Sequence, residues 1–425
     1  MSQIFALVDC NNFYASCEKL FAPQLKNVPV LVLSNNDGCV VARSREAKAL
    51  GIKMGVPVFK VKPLIARHKI QVFSSNYPLY ADMSSRVMRT LEALAPRVEV
   101  YSIDEAFLDL SGLEKLFDLE SFGKQVKAKV DKDTGIQVCV GIAPTKTLAK
   151  LANHGAKQYP ATGGVVDLTA RVRQEKLMAI TPVEEVWGVG RQLTKRLNAM
   201  GITTALDLAQ TDPQQIRNQF SIVLERTVHE LNGIACLELE EVPAKKKQII
   251  SSRSFGEVVT EIDGMRQAIA QHAARAAEKL RAEDQQAKVL TVFIQTNRFK
   301  TNQPSYSNSA IGQLPEPSND SRVLTRLAMQ LLESIWRDGY RYNKGGVMLA
   351  DFYDQNASQP SLFEDMTKKY RSKKLMAAVD QINESGLGTV TLASQGSHNT
   401  NTWAMKREHL SPAYTTRWSD LPKVK

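Results

Sequence analysis

The chain has 425 residues, which at about 150 residues per domain predicts roughly three domains. It is 43% hydrophobic and 23% charged, with 23 Gly and 17 Pro, a composition that excludes collagen-like, low-complexity and mostly disordered chains. The net charge of +11 suits a polyanionic partner, although basicity alone identifies none.

No apolar run approaches the ~18 residues of a membrane-spanning helix, so no membrane association is expected. The start, Met1 to Asp9, has no basic region before its apolar run, so no secretory signal is expected. Cys10, Cys17, Cys39, Cys139 and Cys236 are odd in number and lack metal-ligand spacing. They read as reduced, small apolar residues of a cytoplasmic protein.

Ile4 to Val8 is an apolar run of strand length ending at Asp9. A turn-rich insert follows, with Pro23, Pro29 and Ser34-Asn35-Asn36-Asp37-Gly38, and then helical character from Arg43 to Leu50. Met83 to Leu94 reads as an amphipathic helix closed by Pro96. Val98 to Ile103 alternates like a strand into Asp104-Glu105, and Ala106 to Leu110 continues as its hairpin partner. A helix over 119–130, a strand over 136–142 and a basic helix over 145–157 complete a β-α-β-β-α-β split unit with an insert after its first strand. The pattern is helical over 170–240. It returns to strand (249–255), helix (265–282), strand (289–296), polar loop (300–320), helix (321–337) and strand (346–352). The final ~65 residues read as a separate, weakly patterned tail.

This topology brings Asp9, Asp104 and Glu105 to one sheet edge. Three carboxylates in a small space repel one another unless a divalent metal compensates them. Mg²⁺ held by one or two carboxylates and substrate phosphates fits such a cluster, and two ions about 3.5–4 Å apart activate an attacking oxygen and stabilise a leaving one. Taken singly, Asp9 reads rather as a turn cap and Asp104-Glu105 as a polar turn.

The flanking residues decide between these readings. Asp9-Cys10-Asn11-Asn12-Phe13-Tyr14, Tyr101-Ser102-Ile103-Asp104-Glu105 and Val140-Gly141-Ile142-Ala143-Pro144-Thr145-Lys146 resemble the Y-family translesion DNA polymerases over residues 1 to about 350. Ser34 to Cys39, Phe73 to Tyr77 and the tail are similar to the UmuC branch, which supplies the catalytic subunit of DNA polymerase V. The resemblance implies an α+β right-hand polymerase. Its ferredoxin-like palm spans 1–25 and 80–168, its small fingers 26–79, and its helical thumb 169–240. An α/β little finger spans 241–354 and a partner-binding C-terminal tail 355–425.

On this resemblance Asp9, Asp104 and Glu105, with the Cys10 carbonyl, hold two Mg²⁺ ions. Tyr14, next to Phe13, is the steric gate that excludes the 2′-oxygen of ribonucleotides. Arg45, Lys48 and Lys157 cradle the triphosphate, although the family usually has Tyr and Arg where Arg45 and Lys48 stand. Small residues Gly38, Cys39, Val41 and Ala42 leave space above the templating base. Val186-Trp187-Gly188-Val189-Gly190-Arg191 resembles a helix-hairpin-helix, whose Gly188, Gly190 and Arg191 meet DNA phosphate without reading sequence. Residues 244–300 carry 11 basic and 6 acidic side chains, and Lys245, Lys246 and Arg253 are expected on the DNA backbone. Gln359, Leu362 and Phe363 resemble the peptide that binds the β sliding clamp, with Pro360 departing from the common form.

The implied activity is error-prone, DNA-directed DNA synthesis by two-metal phosphoryl transfer, opposite damaged template in the SOS response. No proofreading exonuclease is expected. The implied partners are primer-template DNA, deoxynucleoside triphosphates, the processed UmuD dimer, a RecA filament and the clamp, and the implied place is the bacterial cytoplasm at the nucleoid. Two other readings share the palm: a nucleotide cyclase, which needs no duplex grip, and a non-catalytic DNA-binding scaffold, which needs no intact acids.

Overall fold

The computed structural model describes residues 3–242, 244–300, 302–355, 366–385, 388–396 and 403–421. Gln359, Leu362 and Phe363 lie outside the described residues. The chain forms two compact units, Met1–Ser34 with Gly38–Pro243 and His409–Lys425, and Asn35–Asp37 with Ala244–Glu408. Among the described residues no helix is long and apolar enough to cross a membrane.

The first unit is built on a sheet of β1 (Phe5–Cys10), β5 (Val98–Val100), β6 (Glu105–Asp109), β7 (Val138–Ala143) and β8 (Val165–Asp167), in the order β5-β6-β1-β7-β8. β1 lies antiparallel between β6 and β7, the arrangement of a split β-α-β unit, and β8 adds a parallel edge. Every residue of β1 is buried, because side chains alternate between two cores. Ala6 and Val8 face α4 (Tyr77–Glu92) and α5 (Leu119–Thr134), whereas Phe5 and Leu7 face α6 (Lys146–Gln158) and the helices beyond it. Asp9, at the odd position that follows, therefore belongs to the α6 side.

The helices start where short polar side chains cap them. Asn76 Oδ1 accepts from the Leu79 amide of α4, Asp118 Oδ2 from the Ser121 amide of α5, and Thr145 Oγ1 from the Leu148 amide of α6. α6 approaches β7 so closely that a Cβ on Gly141 would meet the Asn153 amide at 2.2 Å and the Ala149 carbonyl oxygen at 2.4 Å. Asn153 seals this contact by donating to the carbonyls of Leu7 (3.3 Å) and Cys139 (2.8 Å).

Inserted after β1 is a second sheet, β3-β2-β4, of β2 (Val30–Leu33), β3 (Val40–Arg43) and β4 (Gln71–Ser74). Its core of Leu31, Leu33, Val40, Ile52, Val61 and Ile70 is closed by α2 (Arg45–Ala49) and α3 (Val58–Arg67). Five short helices follow, α7 (Arg171–Ile180), α8 (Arg191–Ala199), α9 (Ala205–Gln210), α10 (Pro213–Gln219) and α11 (Ile222–Leu231).

The second unit is a four-stranded antiparallel sheet in the order β11-β10-β12-β9: β9 (Gln248–Val259), β10 (Gln285–Thr296), β11 (Ser307–Ser318) and β12 (Tyr342–Asp354). α12 (Ile262–Ala282) and α13 (Ser321–Ile335) pack on it through Ala268, Ile269, Leu280, Leu324, Ala328 and Leu332.

Three sequence expectations are corrected. Residues 300–320 are not all loop, because 307–318 form the polar edge strand β11, held by backbone pairing to β10 that needs no apolar side chains. The strand expected through Ile103 ends at Val100, where Tyr101 and Ser102 turn back to the Glu105 carbonyl, so Glu105 opens β6 instead of closing its partner. The last residues are not a separate tail. α14 (Met366–Glu384) is tied to α12 by a bidentate Arg281–Asp380 pair at 2.6 Å, and 409–421 belong to the first unit.

Gly141→Ala must push α6 off the sheet, since both atoms in the way are backbone. We predict a loss at the upper end of the ~1–3 kcal/mol usual for overpacking, read as a lower urea midpoint. An unchanged midpoint would contradict the close α6–β7 approach.

Candidate functional site

α6 carries Lys146, Lys150 and Lys157 at helical spacing, so all three share the face turned to the sheet. Lys146 pairs with Glu99 on β5. Lys150 Nζ lies 3.0 and 3.2 Å from the Glu105 carboxylate oxygens on β6, and Lys157 Nζ lies 2.5 Å from Asp9 Oδ2 on β1. Asp9 and Glu105 are register partners across β1 and β6.

Burial pushes the Asp9 carboxyl up to about 6, with Glu105 adding to the rise and Lys157 opposing it. Asp104 stands in the turn before β6. Its Oδ1 accepts from Ser102 Oγ at 2.7 Å, and its carbonyl accepts from the Cys10 amide at 2.8 Å. The structure thus sets Asp9 opposite Glu105 and holds the Asp104 side chain on Ser102 in the turn beside them. The Asp104 charge still reaches Cys10 and Tyr14, raising both alongside the larger effect of burial. Among the described residues no three His, Cys, Asp or Glu side chains are already gathered as a metal site. The donor chemistry nevertheless fits a divalent cation: hard carboxylate oxygens on adjacent strands, each neutralised by one lysine that substrate phosphates can draw away.

The chain leaves β1 through Asn12, in the left-handed region at φ 52°, and enters α1 (Phe13–Leu20). Phe13 is buried in the core. Tyr14 is half-buried and lies almost parallel to Tyr80, ring centroids 4.3 Å apart, with Tyr77 edge-on at 6.3 Å. Arg45 and Lys48 are exposed on α2. Partial burial lowers the Lys48 ammonium, helped by repulsion from Arg43 and Lys157 and opposed by Asp9, so Lys48 belongs to the Asp9 neighbourhood.

Gly188, at φ 88°, and Gly190 have open space where a Cβ would stand, and Gly190 precedes α8, opening backbone amides at that helix start. Arg191 is exposed. Trp187, just before them, meets Tyr101 edge-on at 5.6 Å, and Lys150 Nζ sits over both rings, 4.4 Å from Tyr101 and 5.1 Å from Trp187. In the second unit Lys245 pairs with Asp354 (2.7 Å) and Lys246 with Glu283 (2.5 Å), and Arg253 is exposed on β9. Lys150, Arg43 and Ser102 were missed as site residues. The Lys146–Lys150–Lys157 spacing was a readable signal for the first, whereas nothing local marked the other two.

Residues 8–154 match the impB/mucB/samB family model and residues 246–362 match that family's C-terminal domain. The chain belongs to the impB/mucB/samB family. Protein UmuC of Salmonella typhimurium strain LT2 is 55% identical over 424 residues, 99% of this chain and all of that one. Protein ImpB of Salmonella typhimurium is 54% identical over 421 residues, 99% of each chain. A DNA polymerase IV of Pelotomaculum thermopropionicum is 30% identical over 396 residues, 89% of this chain and 91% of its own. A solved Y-family DNA polymerase chimera shares the fold, with a TM-score of 0.65 at 22% identity, over 82% of this chain and 98% of its own. The motifs' Y-family, UmuC-branch reading thus stands, as does the right-hand polymerase fold. Residues 373–424 of this impB/mucB/samB member match a domain of unknown function.

Because a carboxylate binds metal only when ionised, divalent-cation affinity should fall as Asp9 takes up its proton below pH 6. Mn²⁺ affinity in a titration should weaken about fivefold between pH 6 and 5. Lys157→Ala removes the group holding the Asp9 carboxyl down and should move that onset to higher pH. Affinity flat from pH 5 to 7 would contradict the Asp9 assignment.

Proposed function

We propose that this chain adds deoxynucleotides to a primer 3′ end opposite damaged template, as an error-prone DNA-directed DNA polymerase of the SOS response without proofreading. The observation that carries this reading is the Asp9–Glu105 carboxylate pair on adjacent strands, flanked by Lys150 and Lys157, with Tyr14 and its aromatic stack on the segment leaving Asp9.

Asp9, Glu105 and Asp104, with the Cys10 carbonyl, would hold two Mg²⁺ ions. When bound, these ions neutralise charge on the transferring phosphate and lower the barrier to attack by the primer hydroxyl. Lys157 and Lys48 supply positive charge to the triphosphate, and Arg45 adds to it from the exposed face of α2. Tyr14, backed by Tyr80, offers a flat ring where a ribose 2′-oxygen would have to fit, and Phe13 anchors it in the core. The sheet of β1 and β5–β8 is the palm (1–25 and 80–168), β2–β4 the fingers (26–79), α7–α11 the thumb (169–240) and the second sheet the little finger (241–354). Gly188, Gly190 and Arg191, with Lys245, Lys246 and Arg253, hold duplex phosphates without sequence readout. Their grip falls steeply with salt. Gln359, Leu362 and Phe363 engage the β clamp, and residues 355–425 meet the processed UmuD dimer and a RecA filament. Cytoplasmic, nucleoid-associated location follows from these partners.

Asp104→Asn should abolish extension and leave primer-template affinity within about twofold, because it removes charge that acts only on the reacting phosphate. Equal loss of DNA binding would make Asp104 structural. Tyr14→Ala should raise ribonucleotide incorporation at least tenfold relative to deoxyribonucleotide, and an unchanged ratio would remove its gate role.

A further inference from the structure

Glu18 is buried on α1, one helical turn beyond Tyr14. The two residues grip one ring. Tyr14 stacks on the face of Tyr80, and Glu18 Oε1 accepts the Tyr80 hydroxyl at 2.6 Å. Glu18 Oε1 also accepts from Ser411 Oγ at 3.1 Å, a residue of the C-terminal segment that matches a domain of unknown function. Among the described residues no cation pairs with this carboxyl, and burial pushes it up to about 7, against the lowering pull of those two hydroxyls.

The same segment holds the start of α4, which carries Tyr77 and Tyr80. Asn76 caps α4 through Oδ1 while its Nδ2 donates to Ser411 Oγ at 2.9 Å and to the Ser411 and Pro412 carbonyls at 3.3 Å. One residue pair earlier, the Ser74 amide donates to the His409 carbonyl at 2.9 Å and the His409 amide to Ser74 Oγ at 3.0 Å. Tyr414 stacks on Phe21 just past the end of α1, centroids 4.8 Å apart and planes 9° from parallel. The segment therefore touches both helices whose side chains form the tyrosine stack, and it does so through directional bonds to groups that are themselves bonded to Tyr80 or cap its helix.

We infer that residues 409–414 are a positioning element for the sugar gate, acting through Ser411, Glu18 and Tyr80 on Tyr14. This deepens the proposed gate role of Tyr14 and rests on it. A ring backed by a parallel neighbour tilts when that neighbour loses its fixed hydroxyl, and a gate displaced by a fraction of an ångström admits one more oxygen.

The test measures kcat/KM for a deoxynucleotide and the matching ribonucleotide in the full chain with its partners. Tyr80→Phe deletes only the hydroxyl, and Ser411→Ala deletes the hydroxyl that donates to Glu18 and accepts from Asn76. Each should lower the deoxy-over-ribo ratio by about threefold to tenfold. Glu18→Gln keeps an oxygen for the Tyr80 hydroxyl and should leave the ratio within about twofold. In a Tyr14→Ala background Tyr80→Phe should change the ratio no further, since the effect passes through Tyr14. If Tyr14→Ala collapses the ratio while Tyr80→Phe and Ser411→Ala leave it unchanged, the positioning role is overturned and the gate stands. Slower use of both sugars alike, with a lower melting temperature and the ratio intact, is the signature of mere support and overturns it equally. If Tyr14→Ala leaves the ratio unchanged, the gate reading and this one both fall.

Discussion

Two carboxylates facing each other across β1 and β6 are the constraint on which the first unit turns. A like-charged pair with one buried member is unfavourable, and the fold keeps it by laying one basic helix along the sheet so that Lys157 meets Asp9 and Lys150 meets Glu105. That solution needs α6 close to the strands, which needs the bare backbone of Gly141 and the carbonyl bonds of Asn153. Each lysine is a replaceable counter-charge. On the proposed reading, phosphate oxygens would compete for the lysines and divalent cations for the carboxylates, so that the resting ion pairs would hold the recognition elements of a metal–triphosphate substrate.

Much of this was legible locally. The apolar run at Ile4–Val8 announced β1, and apolar periodicity announced α5, α12 and α13 within a few residues of their bounds, whereas α4 begins six residues before the helix read from Met83. The motifs around Asp9 and Asp104 named the acids. What stayed hidden was carried by backbone or by distance. The edge strand β11 is polar because one side of it faces water, so its composition resembles a loop. The small sheet β2–β4 is interleaved with turns that mask its strands. The motif could single out Asp104, but not its side-chain bond to Ser102.

The C-terminal segment shows the same limit more sharply. Ser411 and Asn76 lie 335 residues apart and are both polar, so no hydrophobic pattern predicts that they meet. Once the contact is known, the Phe73–Tyr77 motif acquires a reason: Ser74 and Asn76 are docking groups, and Tyr77 belongs to the stack they steady. Chain connectivity here places a terminal segment beside residues from the first twenty.

The central claim is that the Asp9–Glu105 site is a catalytic phosphoryl-transfer centre and not a structural ion-pair network. It is tested most directly by single-nucleotide insertion opposite an abasic template site with Mg²⁺, processed UmuD, RecA filament and clamp, comparing wild type with Glu105→Gln. The account predicts insertion by wild type and a loss of at least about a thousandfold in the variant, with primer-template binding retained. Insertion by Glu105→Gln at the wild-type rate, or an inert wild type that still binds primer-template, would contradict it.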